Sequence, residues 1–172
     1  WERVGKKMSD YVELESVHPH WRNFFEDGMV LDLIEDPAGQ KEEFKKLPGE
    51  LDHNWKQFEQ FLNYGREQFR LCDEGYFREG LDNVWDFIRH YGWRKLLFQM
   101  DHRNSMSGSI ANHFDDEYLR RIFEYFIKYV GSSALDAPGY MNMMPVIQFD
   151  HGLWYVKGGM YNLARGLERL IH

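Results

Sequence analysis

The step from a short apolar run into a helix near the C-terminal end is the most informative place to look for chemistry. Residues 153–156 predict a strand, and Lys157, Gly158 and Gly159 connect it to an amphipathic helix with apolar residues at helical spacing. Glycine has no Cβ, so this step either lets the backbone approach a ligand closely or simply makes a tight turn. Spacing alone favours the tight turn.

Acid–base and metal chemistry have few candidates in the chain. Asp150 and His151 beside the apolar run form a candidate general base, but no nucleophile pairs with them, and a structural polar turn is the favoured interpretation. The eight histidines show neither HExxH nor Cys/His spacing, so no metal site is predicted. No GxGxxG or phosphate-loop pattern occurs. The catalytic residues are therefore unassigned.

A cluster of methionines and aromatic residues precedes and surrounds the same strand. Methionine is flexible and apolar, and beside aromatic rings it suits either a well-filled core or a pocket for an elongated hydrocarbon. The sequence leaves both interpretations open. The cluster consists of Tyr140, Met141, Met143, Met144, Phe149, Trp154 and Met160.

Composition limits the class of protein. The 172 residues suffice for one domain with a sizeable core, and 17% of them are aromatic. A net charge of −7 argues against a nucleic-acid partner, and the single cysteine, Cys72, excludes an internal disulfide. The sequence lacks both a signal peptide and the roughly 18 consecutive apolar residues of a spanning helix, which predicts a cytoplasmic protein. Because it begins at Trp1, we expect a piece of a longer protein.

Helices dominate the predicted fold. Strands are expected near residues 12–14, at 21–25 and at 29–33, the last two joined by an Asp-Gly hairpin turn, with 153–156 added to the same sheet. A proline-started helix follows Asp36, a long aromatic-faced helix runs over 50–71, and residues 73–75 are expected to break it. Further helices are expected at 105–114 and after Asp115. The fold class is α+β, with a small antiparallel sheet.

The aromatic helical stretch between residues 82 and 100 has two interpretations. Asp82 is expected to cap it and Gly92 to close its first part. Packing into the core is the ordinary interpretation. Alternatively, the aromatic side chains lie on a membrane surface, with Arg89, Arg94 and Lys95 facing the headgroups. Peripheral membrane contact therefore remains an open hypothesis.

The C-terminal third resembles a known enzyme family. Residues 133–138 (SALDAP), 152–160 (GLWYVKGGM) and 163–164 (LA) carry the resemblance, together with 11–14 (YVEL) and 25–28 (FEDG). These segments resemble the carotenoid (phytoene or dehydrosqualene) desaturases of the flavin-containing, amine-oxidase-like superfamily. The resemblance covers most of the chain, weakly in the middle and strongly at the end.

The resemblance implies a function that the residues alone do not. Residues 1–172 would be the single substrate-binding domain of an FAD-dependent desaturase, which passes a hydride from a long apolar polyene to the flavin. Lys157, Gly158 and Gly159 would then lie at the cofactor, whereas substrate would contact Tyr140, Met144, Phe149, Trp154 and Tyr155. Because the FAD-binding segments lie outside this domain, we expect it to be inactive and free of FAD in isolation.

Two alternatives stay open. One is a non-catalytic module that binds an apolar ligand or a protein partner. The other keeps the fold but changes the substrate, since related flavoproteins act on amines, porphyrinogens or retinoids.

Overall fold

The computed structural model describes residues 1–80 and 83–171. It does not describe the side chains of Glu2, Val84, Phe87 and residues 94–98. The capping role predicted for Asp82 lies outside the described residues, as do the side chains of Arg94 and Lys95. The remaining elements confirm an α+β fold in which helices dominate.

Four short strands form two separate antiparallel ribbons. β2 (Trp21–Phe24) pairs with β3 (Val30–Leu33), and β1 (Leu14–Ser16) pairs with β4 (Trp154–Val156). The hairpin and the pairing of the last strand with an N-terminal one are confirmed, but the expectation of one sheet is wrong.

The two ribbons separate because the chain turns between β1 and β2. The backbone N–H of Val17 still donates to Leu153 O, next to β4, at 2.8 Å. Three residues later, the N–H of His20 donates to Leu33 O, at the end of β3, also at 2.8 Å. Consecutive strands therefore take different partners. The β2–β3 ribbon supplies the fully buried Leu31 and Leu33 to the main core cluster, whereas the β1–β4 ribbon buries Val156 outside that cluster.

The first two helices follow the sequence signals. Asp36 caps α1 (Pro37–Phe44), and its carboxylate accepts a hydrogen bond from the Gly39 N–H at 2.7 Å. α2 (Leu51–Cys72) is the longest helix and buries one side along most of its length. Its aromatic face supplies Phe58 and Phe61 to the core.

The predicted break at residues 73–75 is wrong. α2 continues directly into a π-helical turn (Asp73–Phe77). Arg70 forms ion pairs with both Glu67 and Glu74, so the polar side chains that indicated a break instead link this turn to the helix before it. Gly75 leaves room for the ring of Tyr91, which occupies the space that a Cβ would need. The glycine therefore serves close packing within a continuing helix.

α3 (Val84–Phe98) is kinked where the sequence predicts its first part to close. Gly92 has φ 71° and ψ 149°, so helical geometry is interrupted there before the helix resumes. α3 packs against the π-helical turn, and the Tyr91 hydroxyl donates to the carbonyl oxygen of Leu71.

The second half of the chain consists of short helices with well-defined ends. Ser105 caps α4 (Met106–His113) and Asp116 caps α5 (Glu117–Glu124), as their sequence positions indicate. A 3₁₀ turn (Tyr125–Val130) extends α5 until Gly131 stops it with φ 69°. A second 3₁₀ turn (Gly139–Asn142) then leads into α6 (Met143–His151).

The core forms where α2 meets α4, α5 and α6. α6 lies closely along α2, and phenylalanine rings fill the space between the helices. In contrast, α7 (Tyr161–Ile171) buries only Gly166 among its described residues, so the apolar side predicted for this helix remains mostly exposed. The fully buried rings are those of Phe44, Phe61, Phe114 and Phe123.

Replacing Gly65 by alanine tests the close contact between α2 and α6. A Cβ on Gly65 would lie 2.5 Å from Val146 Cγ2 and 2.8 Å from the Asn142 carbonyl oxygen, so backbone must move. Overpacking of this kind costs about 1–3 kcal/mol, against about 1 kcal/mol of helix propensity gained. We expect a net loss of up to about 2 kcal/mol in the free energy of unfolding, measured by urea denaturation.

The matched control is Gln60→Ala, on the exposed side of the same helix, which should change stability by less than about 0.5 kcal/mol. Stabilisation of Gly65→Ala by about 1 kcal/mol, the full gain in helix propensity, would mean that the two helices are not in contact at Gly65.

Candidate functional site

An apolar cavity of about 490 Å³ lies where the end of α2 meets the segment before α6. The π-helical turn forms one wall, and residues from the second 3₁₀ turn and the start of α6 form another. None of the described residues that line it carries a charge. They are Cys72, Tyr76, Phe77, Met100, Val130, Tyr140, Met141 and Met143.

The polar atoms at this cavity are held in their neutral forms. Burial raises the pKa of the Cys72 thiol to about 11, so it stays protonated at neutral pH. Burial likewise raises the pKa of the Tyr140 phenol. Three methionines add flexible, polarizable surface that adapts to the shape of a ligand. The chemistry of the wall therefore suits an apolar molecule and disfavours an ion.

A hydrogen-bonded centre at Asp101 positions two of the lining residues. Asp101 directly follows Met100, and its carbonyl oxygen accepts from the N–H of Tyr140 at 2.8 Å. Its carboxylate accepts from the Tyr64 hydroxyl at 2.7 Å and from the Ser109 hydroxyl. These bonds link α2, α4 and the 3₁₀ turn (Gly139–Asn142).

The charge state of Asp101 follows from these contacts. Burial favours the protonated carboxyl, but hydrogen bonds from Ser109, Tyr64 and Asn104 outweigh burial and hold its pKa below the ordinary value of 3.8. Asp101 is therefore ionised at neutral pH, and its bonds are charge-assisted.

The predicted substrate-binding residues do not meet in one cavity. Tyr140 lines the apolar cavity, whereas Met144 packs against the core. Phe149 belongs to the core and also lines a separate cleft. Trp154 and Tyr155 are about half exposed on the ribbon of β1 and β4. The assignment of all five residues as substrate contacts stays a prediction.

Sequence reasoning missed five of the eight described residues that line the cavity. Tyr76, Phe77, Met100 and Val130 were not assigned to the pocket, and Cys72 was considered only for its redox chemistry. The available signal was the pair Tyr76-Phe77 four and five residues after Cys72, which places them one helical turn on if the helix continues. The wrongly predicted break at 73–75 concealed that signal.

The separate cleft, of about 670 Å³, is lined by both apolar and charged side chains. On its wall Arg66 holds Asp150 through two hydrogen bonds, Nε–Oδ2 at 2.8 Å and Nη2–Oδ1 at 2.6 Å. A carboxylate engaged by both oxygens is poorly available as a general base. The contacts thus support a structural role for Asp150.

Residues 157–159, which the resemblance places at the cofactor, form a tight connection between β4 and α7. Gly158 and Gly159 have φ of 78° and 99°, and the Gly159 N–H donates to Val156 O at 2.9 Å. Gly158 faces the amide of Asn162, and Lys157 forms an ion pair with Glu13 at 2.6 Å. The backbone and side chains here bond within the chain, which supports the tight-turn interpretation. On their own, these residues do not fit a pyrophosphate.

No group of three metal-ligating side chains comes together within residues 1–80 and 83–171. Within the same residues, no helix is both long and apolar enough to cross a membrane.

No family model matches the chain. Over 168 residues (97% of the chain), it is 48% identical to a 4,4'-diapolycopene oxygenase of Methylomonas sp. It is 39% identical to 4,4'-diaponeurosporene oxygenases of Staphylococcus haemolyticus and Staphylococcus aureus, over 96% and 99% of the chain. The chain spans about a third of the length of these curated relatives. The family resemblance is thereby confirmed: the chain is related to carotenoid-modifying enzymes.

Substituting Asp101 by asparagine tests the hydrogen-bonded centre. Because its pKa is lowered in the folded state, Asp101 stabilises the fold above pH 3.8, and this contribution is lost as the pH falls through the folded-state pKa. We expect Asp101→Asn to cost about 1–2 kcal/mol at pH 7 and progressively less toward acid. Unfolding in urea at several pH values measures both effects.

Asp10→Asn is the matched control, since Asp10 is exposed in a 3₁₀ turn near the N-terminus. It should leave the pH profile unchanged. A pH-independent loss in Asp101→Asn would show that the carboxylate is not ionised in the fold.

Proposed function

We propose that this chain is the part of a carotenoid-modifying oxidoreductase that binds a long apolar polyene, and that the apolar cavity holds part of that substrate. The single observation that carries the proposal is the uncharged wall of this cavity. The names of the relatives, 4,4'-diapolycopene and 4,4'-diaponeurosporene oxygenase, supply the class of substrate.

In this proposal, the residues that line the cavity bind and align the polyene and take no part in the chemical reaction. A polyene offers no hydrogen-bonding group, so affinity comes from apolar surface removed from water, at roughly 25 cal/mol per Å². The hydrogen bond from the Tyr140 N–H to the Asp101 carbonyl oxygen positions Tyr140 on one side of the wall, where Met100 directly precedes Asp101. Met141 and Met143 adjust to the chain on the other. Holding the polyene in one orientation and excluding water are the contributions expected of these residues.

FAD belongs to the proposal as the group that accepts two electrons when bound. Since Lys157, Gly158 and Gly159 do not form a nucleotide site among themselves, we place its binding in parts of the protein that correspond to the other two thirds of the relatives. No step is assigned here to a residue of this chain.

Two reactions are compatible with an apolar polyene, and they differ in their products. Desaturation, which the family resemblance implies, removes two hydrogens from neighbouring carbons, one as a hydride to FAD and one as a proton. Oxygenation, which the names of the relatives indicate, adds oxygen to the polyene and requires an oxygen donor. The mass of the product separates the two.

Incubation of the intact protein with a polyene under ¹⁸O₂ tests the reaction. Desaturation predicts a product that is lighter by two hydrogens and free of ¹⁸O, together with flavin bleaching when oxygen is excluded. Oxygenation predicts incorporation of ¹⁸O from the gas. Turnover of amines, porphyrinogens or retinoids, but of no acyclic polyene, would contradict the substrate class. Binding without any turnover would favour a non-catalytic module.

Placing a charge in the cavity tests the binding site independently of turnover. We expect Met100→Glu to weaken polyene binding by at least about tenfold, since about 1.4 kcal/mol of lost affinity suffices for that. Cys72 is the chain's single cysteine and lines the cavity, so bound polyene should slow its labelling by an apolar maleimide. The labelling rate, measured against polyene concentration in neutral detergent, gives the affinity.

Met160→Glu is the matched control, because Met160 is 64% exposed and does not line the cavity. It should retain the wild-type affinity. If polyene binding fails to protect Cys72, or if both variants bind equally well, the cavity is not the polyene site.

A further inference from the structure

The cleft of about 670 Å³, which the proposed function does not use, has a buried histidine behind its wall. The side chain of His20 is only 1% exposed, and its Nε2 lies 3.7 Å from Oε2 of Glu35, which lines the cleft. Neither ring nitrogen of His20 has a hydrogen-bond partner among the described residues. Burying a polar group without a partner is unfavourable, and a ligand nitrogen could hydrogen-bond to both Nε2 and Oε2, since these atoms lie so close together.

His20 can accept a hydrogen bond at neutral pH. Burial lowers its pKa below the ordinary value of 6.5, and this effect outweighs the opposite effect of Glu35. The neutral imidazole with its proton on Nδ1 leaves Nε2 as an acceptor. The ionised carboxylate of Glu35 also only accepts. Two acceptors therefore face the same point, which favours a ligand group with several donors.

The cleft carries excess negative charge. Glu35 and Glu59 both line it, and neither carboxylate forms an ion pair with a lysine or arginine in the described part of the chain. The charges of Arg66 and Asp150 offset each other through their ion pair. The charge of Asp36 is offset in part by the N-terminus of α1, which it caps. Glu35 and Glu59 therefore give the cleft its excess of negative charge.

The C-terminal end of α6 adds to this negative potential. Phe149 and Asp150, close to the last residue of α6, line the cleft, and the C-terminus of a helix carries partial negative charge. A Cβ on Gly152 would lie 3.3 Å from both carboxylate oxygens of Glu35, so this carboxylate lies directly beside the helix end. A cation at this point is attracted by both.

We propose that this cleft binds an organic ammonium ion, whose N–H groups donate to Glu35 and His20 and whose apolar stem lies against the aromatic wall. An ammonium group has three donors and one positive charge, which match the two acceptors and the excess negative charge. Trp55 and Phe58 supply the aromatic surface. The ammonium ion is bound and is not a reactant. No residue lines both this cleft and the apolar cavity, so the two ligands bind independently.

Calorimetric titration of the intact protein with phenethylammonium, at an ionic strength that screens weak surface attraction, tests the site. We expect binding, and we expect phenylethanol, which has the same ring and stem without the charge, to bind at least about tenfold more weakly. Glu35→Gln should weaken phenethylammonium binding by at least about tenfold, because it removes a charge-assisted hydrogen bond. Glu168→Gln is the matched control, since it removes the same charge from an exposed position on α7 and should bind like wild type.

His20→Leu separates a role in binding from a role in packing. Leucine removes both unpaired ring nitrogens from the interior, so we expect this variant to resist urea at least as well as wild type. Its affinity for phenethylammonium should nevertheless fall by at least about tenfold. Loss of binding without loss of stability is a result that a purely structural histidine would not give.

Each other result overturns the proposal in whole or in part. Absence of phenethylammonium binding, equal binding of phenylethanol, or equal weakening by Glu35→Gln and Glu168→Gln overturns the site. Wild-type affinity in His20→Leu overturns the part assigned to His20. The comparison of the two ligands uses wild type alone, so it holds whether or not a variant folds. Protection of Cys72 by polyene is measured at the other cavity, so failure here is distinguishable from failure of the proposed function.

Discussion

The contact between α2 and α6 is the constraint on which the rest of the structure depends. The two helices approach so closely that Gly65 has no room for a side chain beside Val146 and the Asn142 carbonyl oxygen. This approach fixes the start of α6, and with it the 3₁₀ turn (Gly139–Asn142) that precedes it. Met141 and Met143 therefore face the end of α2, and the cavity is the space left where the helices diverge.

Two kinds of interaction stabilise the structure around this contact, aromatic packing and polar side-chain bonds. Phenylalanine rings fill the core beneath it, as in the edge-to-face pair Phe58 and Phe149 with centroids 5.3 Å apart. Polar side chains fix its borders, with Asp101 between α2, α4 and the 3₁₀ turn, and Arg66 bonded to Asp150. At the cavity, the Tyr140 N–H donates to the Asp101 carbonyl oxygen, and Met100 directly precedes Asp101 in the chain. An apolar cavity and a well-filled core therefore lie next to each other in one small fold.

The similarity to the diapolycopene and diaponeurosporene oxygenases bears on how the methionine cluster and the cavity are interpreted. The residues alone favoured core packing for the methionine cluster, and hydrocarbon binding became an equal interpretation only with the family resemblance. The structure divides that cluster: Met141 and Met143 line the cavity, Met144 packs on the core and Met160 is exposed. The relatives are named for diapolycopene and diaponeurosporene, and the cavity in this chain has an uncharged wall.

Local signals determined the helices, their caps and the hairpin, because these depend on residues within a few positions of one another. Asp36 before Pro37, Asp116 before α5 and Asp27-Gly28 in the turn are examples. The family resemblance was likewise present in the sequence alone. Only the tertiary structure decided the division into two ribbons, the continuation of α2 past Gly75 and the membership of the cavity. Each of these depends on residues far apart in the chain, such as Leu14 opposite Val156 or Tyr91 against Gly75, and no local pattern encodes which distant partner fills a space.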